Sequence, residues 1–221
     1  MQIDHCEFPE ALLYDLENNV WVKLLSANRA RLGITSVHAA LAGRINTVKL
    51  KPIGTVLQKK QSVASIESNR FFGVVRTPFI GRIVSVNPRL ESEPKLANDF
   101  PYTDGWFAEI DSLADQNGMK QLLQVGTAQE QIRNQITKLR VRCFKAFPDY
   151  EMWEIGVECA AVLVRLNDLM ERSKVNEVVH VVSDDPTAYI EMERWSDETG
   201  QAVLESRTED KLTHFIVKKV K

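Results

Sequence analysis

Cysteine is scarce in this chain: three thiols, Cys6, Cys143 and Cys159, in 221 residues. They are an odd number with no paired spacing, so the sequence alone signals neither a disulfide framework nor a Cys-x-x-Cys zinc site, and at least one thiol is expected to be free. Glycine (10) and proline (8) are too few for a collagen-like or low-complexity chain. No apolar run approaches the roughly 20 residues of a spanning helix, and the opening residues 1–10 lack the basic start and apolar core of a signal peptide. A soluble, cytoplasmic protein with no membrane partner is expected. There is also no large excess of either charge: 28 Lys and Arg stand against 30 Asp and Glu. The balance is uneven along the chain, net zero over residues 1–118, +4 over 119–150 and −6 over 151–221. No segment is basic enough to make nucleic acid the expected partner.

What is present is a 44% hydrophobic, 26% charged composition able to bury one or two compact cores. Over residues 20–110, segments 20–25, 29–34, 45–50, 62–68, 81–87 and 105–111 alternate apolar and polar positions between Gly, Pro and Asn. That period of two predicts an antiparallel all-β module. One Ala-rich interruption, Ser36-Val37-His38-Ala39-Ala40-Leu41-Ala42, predicts a short helix closed by Gly43. Residues 127–147 turn helical, with Ile132, Ile136 and Leu139 on one stripe and Arg133, Lys138, Arg140 and Arg142 around them, ending before Pro148. They read as a connector helix.

The last 70 residues switch period repeatedly. An extended stretch at 150–157 is followed by a helix face (Val162, Leu163, Leu166, Leu169, Met170), then a β-branched run at 177–182. Asp185-Pro186 opens a second helix that Gly200 ends, and strands follow at 201–205 and 212–218. The order β-α-β-α-β-β predicts a two-layer α+β sandwich. Asp185 suits a helix cap and Pro186 a first helical position. The expected domains are thus residues 1–126, a connector at 127–149, and 150–221, with movement permitted by an exposed segment around Asp115-Gln116-Asn117-Gly118.

Residues 9–111 resemble the glycine-cleavage H proteins. The matching marks are Trp21-Val22, Gly33-Ile34-Thr35, Val56-Leu57-Gln58-Lys59-Lys60, Ile66-Glu67-Ser68, Thr77-Pro78 with Gly81, Val86-Asn87, Glu93-Pro94, Asn98-Asp99, Pro101-Tyr102 and Gly105-Trp106. The resemblance implies a lipoyl-type barrel-sandwich hybrid whose hairpin carries a lipoylated lysine. Here the hairpin reads Glu67-Ser68-Asn69-Arg70. A guanidinium is permanently protonated and not nucleophilic at neutral pH, so lipoate is not expected as a cofactor. Lys59 and Lys60 read as solvated turn charges. Phe71 and Phe72 stand where small residues are expected, either as an apolar tip or tucked against the sheet.

Residues 150–219 resemble the TusA/SirA sulfur carriers, whose Gly-x-x-Cys-Pro-x-Pro motif accepts sulfur as a persulfide. This sequence keeps Gly156 and Cys159 but has Ala160 and Val162 in place of both prolines. Further marks are Val182-Ser183-Asp184-Asp185-Pro186, Trp195 before Gly200, and Phe215-Ile216-Val217-Lys218. The resemblance makes Cys159 the candidate sulfur-accepting residue. A helix N-terminus favours its thiolate, while Glu154 and Glu158 oppose it if they are close. Cys143, amid Arg140, Arg142 and Lys145, is a candidate resolving thiol. Cys6 beside His5 supplies two ligands and so no metal site.

Three functions remain open: a non-lipoylated carrier or scaffold in persulfide transfer or docking to lipoyl-dependent enzymes, a non-catalytic interaction protein, and a component of glycine cleavage. A carrier or binding protein is expected rather than a turnover enzyme, with protein partners from lipoyl or sulfur-transfer systems and neither cofactor nor metal.

Overall fold

A computed structural model describes residues 1–113 and 121–221. The segment Asp115-Gln116-Asn117-Gly118, expected to be exposed, lies outside the described residues. The chain divides into two compact units, Met1–Cys143 and Phe144–Lys221.

The first unit is a sandwich of two open antiparallel sheets, with no closed barrel among the described residues. A seven-stranded sheet runs in the order Leu123–Gln124, Leu13–Asp15, Val20–Leu24, Arg29–Ile34, Trp106–Ser112, Gly81–Val86, Val56–Leu57. A three-stranded sheet, Ile45–Leu50, Ser62–Ser68, Phe72–Arg76, faces it. Side chains alternate across a strand, so Val20, Val22, Leu32 and Ile34 of the large sheet meet Val48, Ala64, Ile66 and Val75 of the small one in a shared core. The alternation carries a second core on the outer face of the large sheet, where Trp21 is 1% exposed and donates its ring N–H to the Pro101 carbonyl at 2.8 Å. Gly33 opposite must be glycine, since a Cβ there would sit 2.7 Å from the Trp21 ring.

The helix expected as a connector belongs to this first unit. It spans Val125–Leu139 and buries Val125, Ala128, Ile132 and Ile136 with Trp21, Tyr14 and Phe8 in the outer core. Ile132 and Ile136 lie on the apolar stripe that the sequence showed. That stripe is filled by the chain's N-terminal residues. Gln2–Ile3 and Cys6–Glu7 form a small hairpin, and Cys6 is fully buried. Cys6 is disulfide-bonded to Cys143, 137 residues away. This corrects the expectation of no disulfide and removes Cys143 as a free resolving thiol. Spacing along the chain reveals only pairs that are close in sequence, and this pair is made by tertiary packing.

The second unit is a four-stranded mixed sheet ordered Tyr150–Glu154, Val178–Ser183, Leu212–Lys218, Ala202–Glu209, the first pair parallel and the others antiparallel. Helices Cys159–Arg172 and Ala188–Thr199 cover one face, burying Val162, Leu166, Met170, Met192 and Trp195 against Val179, Val181, Phe215 and Val217. The Trp195 ring N–H donates to Asn167 Oδ1 at 2.7 Å and ties the two helices together. On the other face His180 Nε2 and His214 Nδ1 lie 2.9 Å apart, with the Phe144 ring 4.6 Å from His180.

Candidate functional site

Two places collect the residues singled out by sequence, one in each unit. In the first unit, Ser62–Ser68 and Phe72–Arg76 pair with Glu67 opposite Phe72, leaving Asn69, Arg70 and Phe71 as the turn. The turn closes through the Ser68 amide donating to the Phe71 carbonyl at 2.8 Å. Ser68 Oγ accepts the Arg70 amide and donates to the Ala42 carbonyl, fixing the turn onto the short helix Ser36–Ala42. Asn69 Oδ1 accepts from Asn46 Nδ2 at 2.9 Å. Arg70 is exposed, and its guanidinium lies over Gly43, where a Cβ would come 2.6 Å from Nε. Gly43 also has φ +71°, which glycine adopts without a side-chain penalty.

The two phenylalanines divide the roles that sequence left open. Phe71 folds back over Gly73 and packs edge-on to His38 at 6.1 Å, while Phe72 is 70% exposed. His38 is buried beneath this turn, and burial pushes its imidazole down to about 4, the Asn19 backbone only partly offsetting it. Lys59 and Lys60 are spent elsewhere: Lys59 donates to Gln121, and Lys60 pairs with Glu17 at 2.6 Å.

A residue not assigned a role from sequence organises the platform. Asn98, 5% exposed, accepts the Ile45 amide at 2.8 Å and donates to the Gly43 carbonyl at 2.9 Å, holding the loop on which Arg70 rests. Its signal in the sequence was the Asn98-Asp99 pair among the marks of the H-protein resemblance, which carried no role for the side chain. A cleft of about 440 Å³ lined by Arg44, Asn46, Glu93, Lys95 and Asp99 adjoins the turn through Asn46. The turn does not fit an amide-linked lipoyl group, because the side chain at its apex is a guanidinium that cannot be acylated as an amine is.

In the second unit Cys159 is the first residue of its helix and, unlike Cys6 and Cys143, a free thiol. It is 4% exposed and contributes to the core. The helix dipole does not prevail there. Burial pushes the thiol up, and the carboxylates of Asp185 and Glu191 push it further. The opposing charges are therefore not Glu154 and Glu158, the neighbours in sequence. Glu154 instead pairs with Arg165 at 2.5 Å.

Asp185 is not the helix cap expected of it, since Thr187 is the N-cap and makes no side-chain capping bond; Asp185 bonds Thr187 itself and reaches across to Cys159. Its Oδ2 accepts the Cys159 amide at 2.8 Å and its Oδ1 accepts the Thr187 amide at 2.7 Å, bonds that hold its carboxyl below the usual range. The second helix starts at Ala188, two residues beyond Pro186. Asp184 Oδ1 similarly accepts the Gly156 amide at 2.8 Å. The Cys159 amide at the helix start is thus already bonded to the Asp185 carboxylate. Among the described residues no helix is long and apolar enough to cross a membrane, and no cluster of three or more His, Cys, Asp or Glu could hold a metal.

The comparisons with known proteins match both units. The glycine cleavage H-protein family model matches residues 12–135, and the sulfurtransferase TusA model matches residues 155–219. Glycine cleavage system H protein 3 of Aquifex aeolicus is 32% identical over 143 residues, 63% of this chain and 89% of the relative. A probable glycine cleavage system H protein 2 of Sulfolobus acidocaldarius is 35% identical over 141 residues, 63% of this chain and 94% of the relative. The crystal structure of a glycine cleavage system H protein from Mycobacterium marinum shares the fold with a TM-score of 0.50 at 24% identity, over 57% of this chain and 98% of that one. A two-sheet sandwich with Arg70 at its hairpin, followed by an α/β unit with one free thiol at a helix start, is therefore a two-domain fusion: the chain belongs to the glycine cleavage H-protein family and carries a TusA domain after its H-protein domain.

Proposed function

We propose that this chain is an H-protein-like docking body without a lipoyl arm, joined to a sulfur carrier that loads on Cys159. The observation that carries this reading is the position of Cys159: it opens the first helix of the TusA domain and is the chain's free thiol. Loading is an exchange in which the Cys159 thiolate attacks the outer sulfur of a donor's cysteine persulfide. A new S–S bond forms on Cys159 as the donor's S–S bond breaks, and the donor leaves as its own thiolate. No metal is required.

The resting site disfavours this step, since Cys159 is buried and faces Asp185 and Glu191. Loading therefore requires the turn at residues 155–158 to open, breaking the amide contacts to Asp184 and Asp185. A donor bringing cationic side chains to this acidic end assists by favouring the anion. Protein partners of lipoyl or sulfur-transfer systems follow from the two domains, with exposed Phe72 and Arg70 as the contact tip of the first. The test is intact mass after incubation with a persulfide donor. One added sulfur that disappears in Cys159→Ala is expected.

The burial of Cys159 favours one second reading, a non-catalytic interaction protein in which both domains keep recognition surfaces and have lost their chemistry. It predicts no sulfur adduct at any donor concentration. Participation in glycine cleavage is not favoured, because Arg70 stands where the acylated amine is needed.

A further inference from the structure

The end of the second unit that carries Cys159 is made of two strand-to-helix turns laced together. The Gly156 amide donates to Asp184 and the Cys159 amide to Asp185, each at 2.8 Å, which sets residues 155–158 beside residues 184–187. Cys159 and Ala188, the first residues of the two helices, share one core. Around them apolar side chains are left uncovered. Ile155 in the first turn, and Tyr189 and Ile190 where the second helix begins, are 50%, 54% and 64% exposed. Exposed apolar groups gathered at one place, with a polar rim, mark an interaction surface.

The rim here is of one sign. Glu158 and Asp184 are exposed, Asp185 is partly buried, and Glu191 and Glu193 lie on the first two turns of the second helix. The first two turns of the two helices hold two basic residues, and both are engaged, Arg165 with Glu154 at 2.5 Å and Arg194 with Glu191 at 3.4 Å. A thiol that must ionise to react therefore faces carboxylates, which push it up. The cation that would favour its anion has to come from whatever binds here.

We propose that this end is the docking surface for the sulfur donor, and that the donor presents its persulfide among basic and apolar side chains. The proposal rests on the reading that Cys159 accepts sulfur, and it names the chemistry of the partner. Apolar groups of the donor cover Ile155, Tyr189 and Ile190, while its Lys or Arg side chains meet Glu158, Asp184 and Glu193. The same cations make Cys159 easier to ionise, so docking and activation are one event. The outer sulfur of the donor then moves to the Cys159 thiolate, the Cys159 proton goes to solvent, and the donor departs as a thiolate. A donor with an acidic surface is turned away by like-charge repulsion.

The test uses the whole chain and two synthetic peptides of equal length. Each carries one cysteine persulfide between two leucines, one peptide flanked by lysines and the other by glutamates. Uptake is followed by intact mass, and each rate is divided by the same peptide's rate of transfer to β-mercaptoethanol, which removes differences in intrinsic reactivity. The lysine peptide should load Cys159 about tenfold or more faster at low salt, and the ratio should fall several-fold in about 0.5 M sodium chloride. Glu158→Gln and Glu193→Gln, both at the surface, should each reduce it about twofold or more. Exchanging the leucines for serines should slow uptake several-fold on the wild type, and by less on Tyr189→Ser or Ile190→Ser.

Equal rates from the two peptides, or a ratio that salt leaves unchanged, would overturn the docking proposal while leaving Cys159 a carrier. A leucine effect of the same size on the wild type and on both serine variants removes the apolar half of the surface. No uptake from either peptide, when both transfer to β-mercaptoethanol, overturns the underlying reading of Cys159 itself.

Discussion

Acidification should destabilise the first unit by an amount that His38 largely sets. His38 sits in the helix Ser36–Ala42 beneath Phe71, 6% exposed, and Nδ1 makes no hydrogen bond. Its folded value is about 4 against an ordinary 6.5. Between those values the unfolded chain binds the proton and the folded one does not, so stability falls as pH drops through 6.5 and levels off below about 4. The difference of about two and a half units corresponds to a ceiling of roughly 3 kcal/mol. About 2 kcal/mol of this is lost between pH 7.5 and 5, above the range in which the carboxylates held low by Asp111–Arg29 and Glu17–Lys60 pairing are protonated. For a unit of this size that is a fall of roughly 6–10 °C in melting temperature.

The assay is calorimetry of the wild type and His38→Leu at both pH values, read as a double difference so that groups common to both cancel. Leucine fills the space without titrating, and the wild type should lose about 2 kcal/mol more than the variant on acidification. A double difference below about 0.5 kcal/mol would refute the reasoning, since it would mean that the imidazole is protonated as easily inside the fold as outside it.

Removing the charge of Asp185 with Asp185→Asn should lower the Cys159 ionisation point and speed its alkylation by iodoacetamide several-fold near pH 8; Glu191→Gln should act in the same direction, more weakly, and an unchanged or slower rate would count against the electrostatic assignment. Asn98→Ala should cost about 2–4 kcal/mol in urea unfolding, because the Ile45 amide and Gly43 carbonyl lose a buried partner, and it should loosen the hairpin platform in hydrogen exchange. Arg70→Lys restores an amine to the Glu67-Ser68-Asn69 turn and should make the chain a substrate for a lipoate ligase in vitro, as seen by intact mass; a lipoyl group on wild-type protein, at any residue, would contradict the reading of Arg70.

The parts of this fold written in local patterns were legible, and the parts made by distant pairing were not. Alternation at 20–25 and 29–34 gave strands because a period of two is a property of neighbours, and the helix start at Cys159 followed from the switch in period. The same alternation could not tell that Trp21 faces a second core, nor that Ile132 and Ile136 fill it with the N-terminal hairpin. The Cys6–Cys143 bond spans 137 residues, beyond any spacing rule. At the candidate site the sequence picked out Cys159, the proposed sulfur acceptor, and misassigned its surroundings. Glu154 and Glu158 are adjacent in sequence, yet Asp185 and Glu191, about 30 residues on, supply the charge that Cys159 meets, because the parallel strand pair brings the two strand-to-helix turns to one end of the sheet. The hairpin was the reverse case. Arg70 could be read directly, since its chemistry does not depend on where the chain goes, whereas Asn98 could not, since its role exists only once residues 43 and 45 are folded beside it.

The most direct test of the account is whether Cys159 takes up sulfur. The 221-residue chain with the Cys6–Cys143 bond intact should gain the mass of one sulfur atom from a protein persulfide donor, lose it on treatment with a thiol reductant, and gain none as Cys159→Ala. Wild-type protein that stays at its starting mass while the donor loads a competent acceptor in the same tube would contradict it.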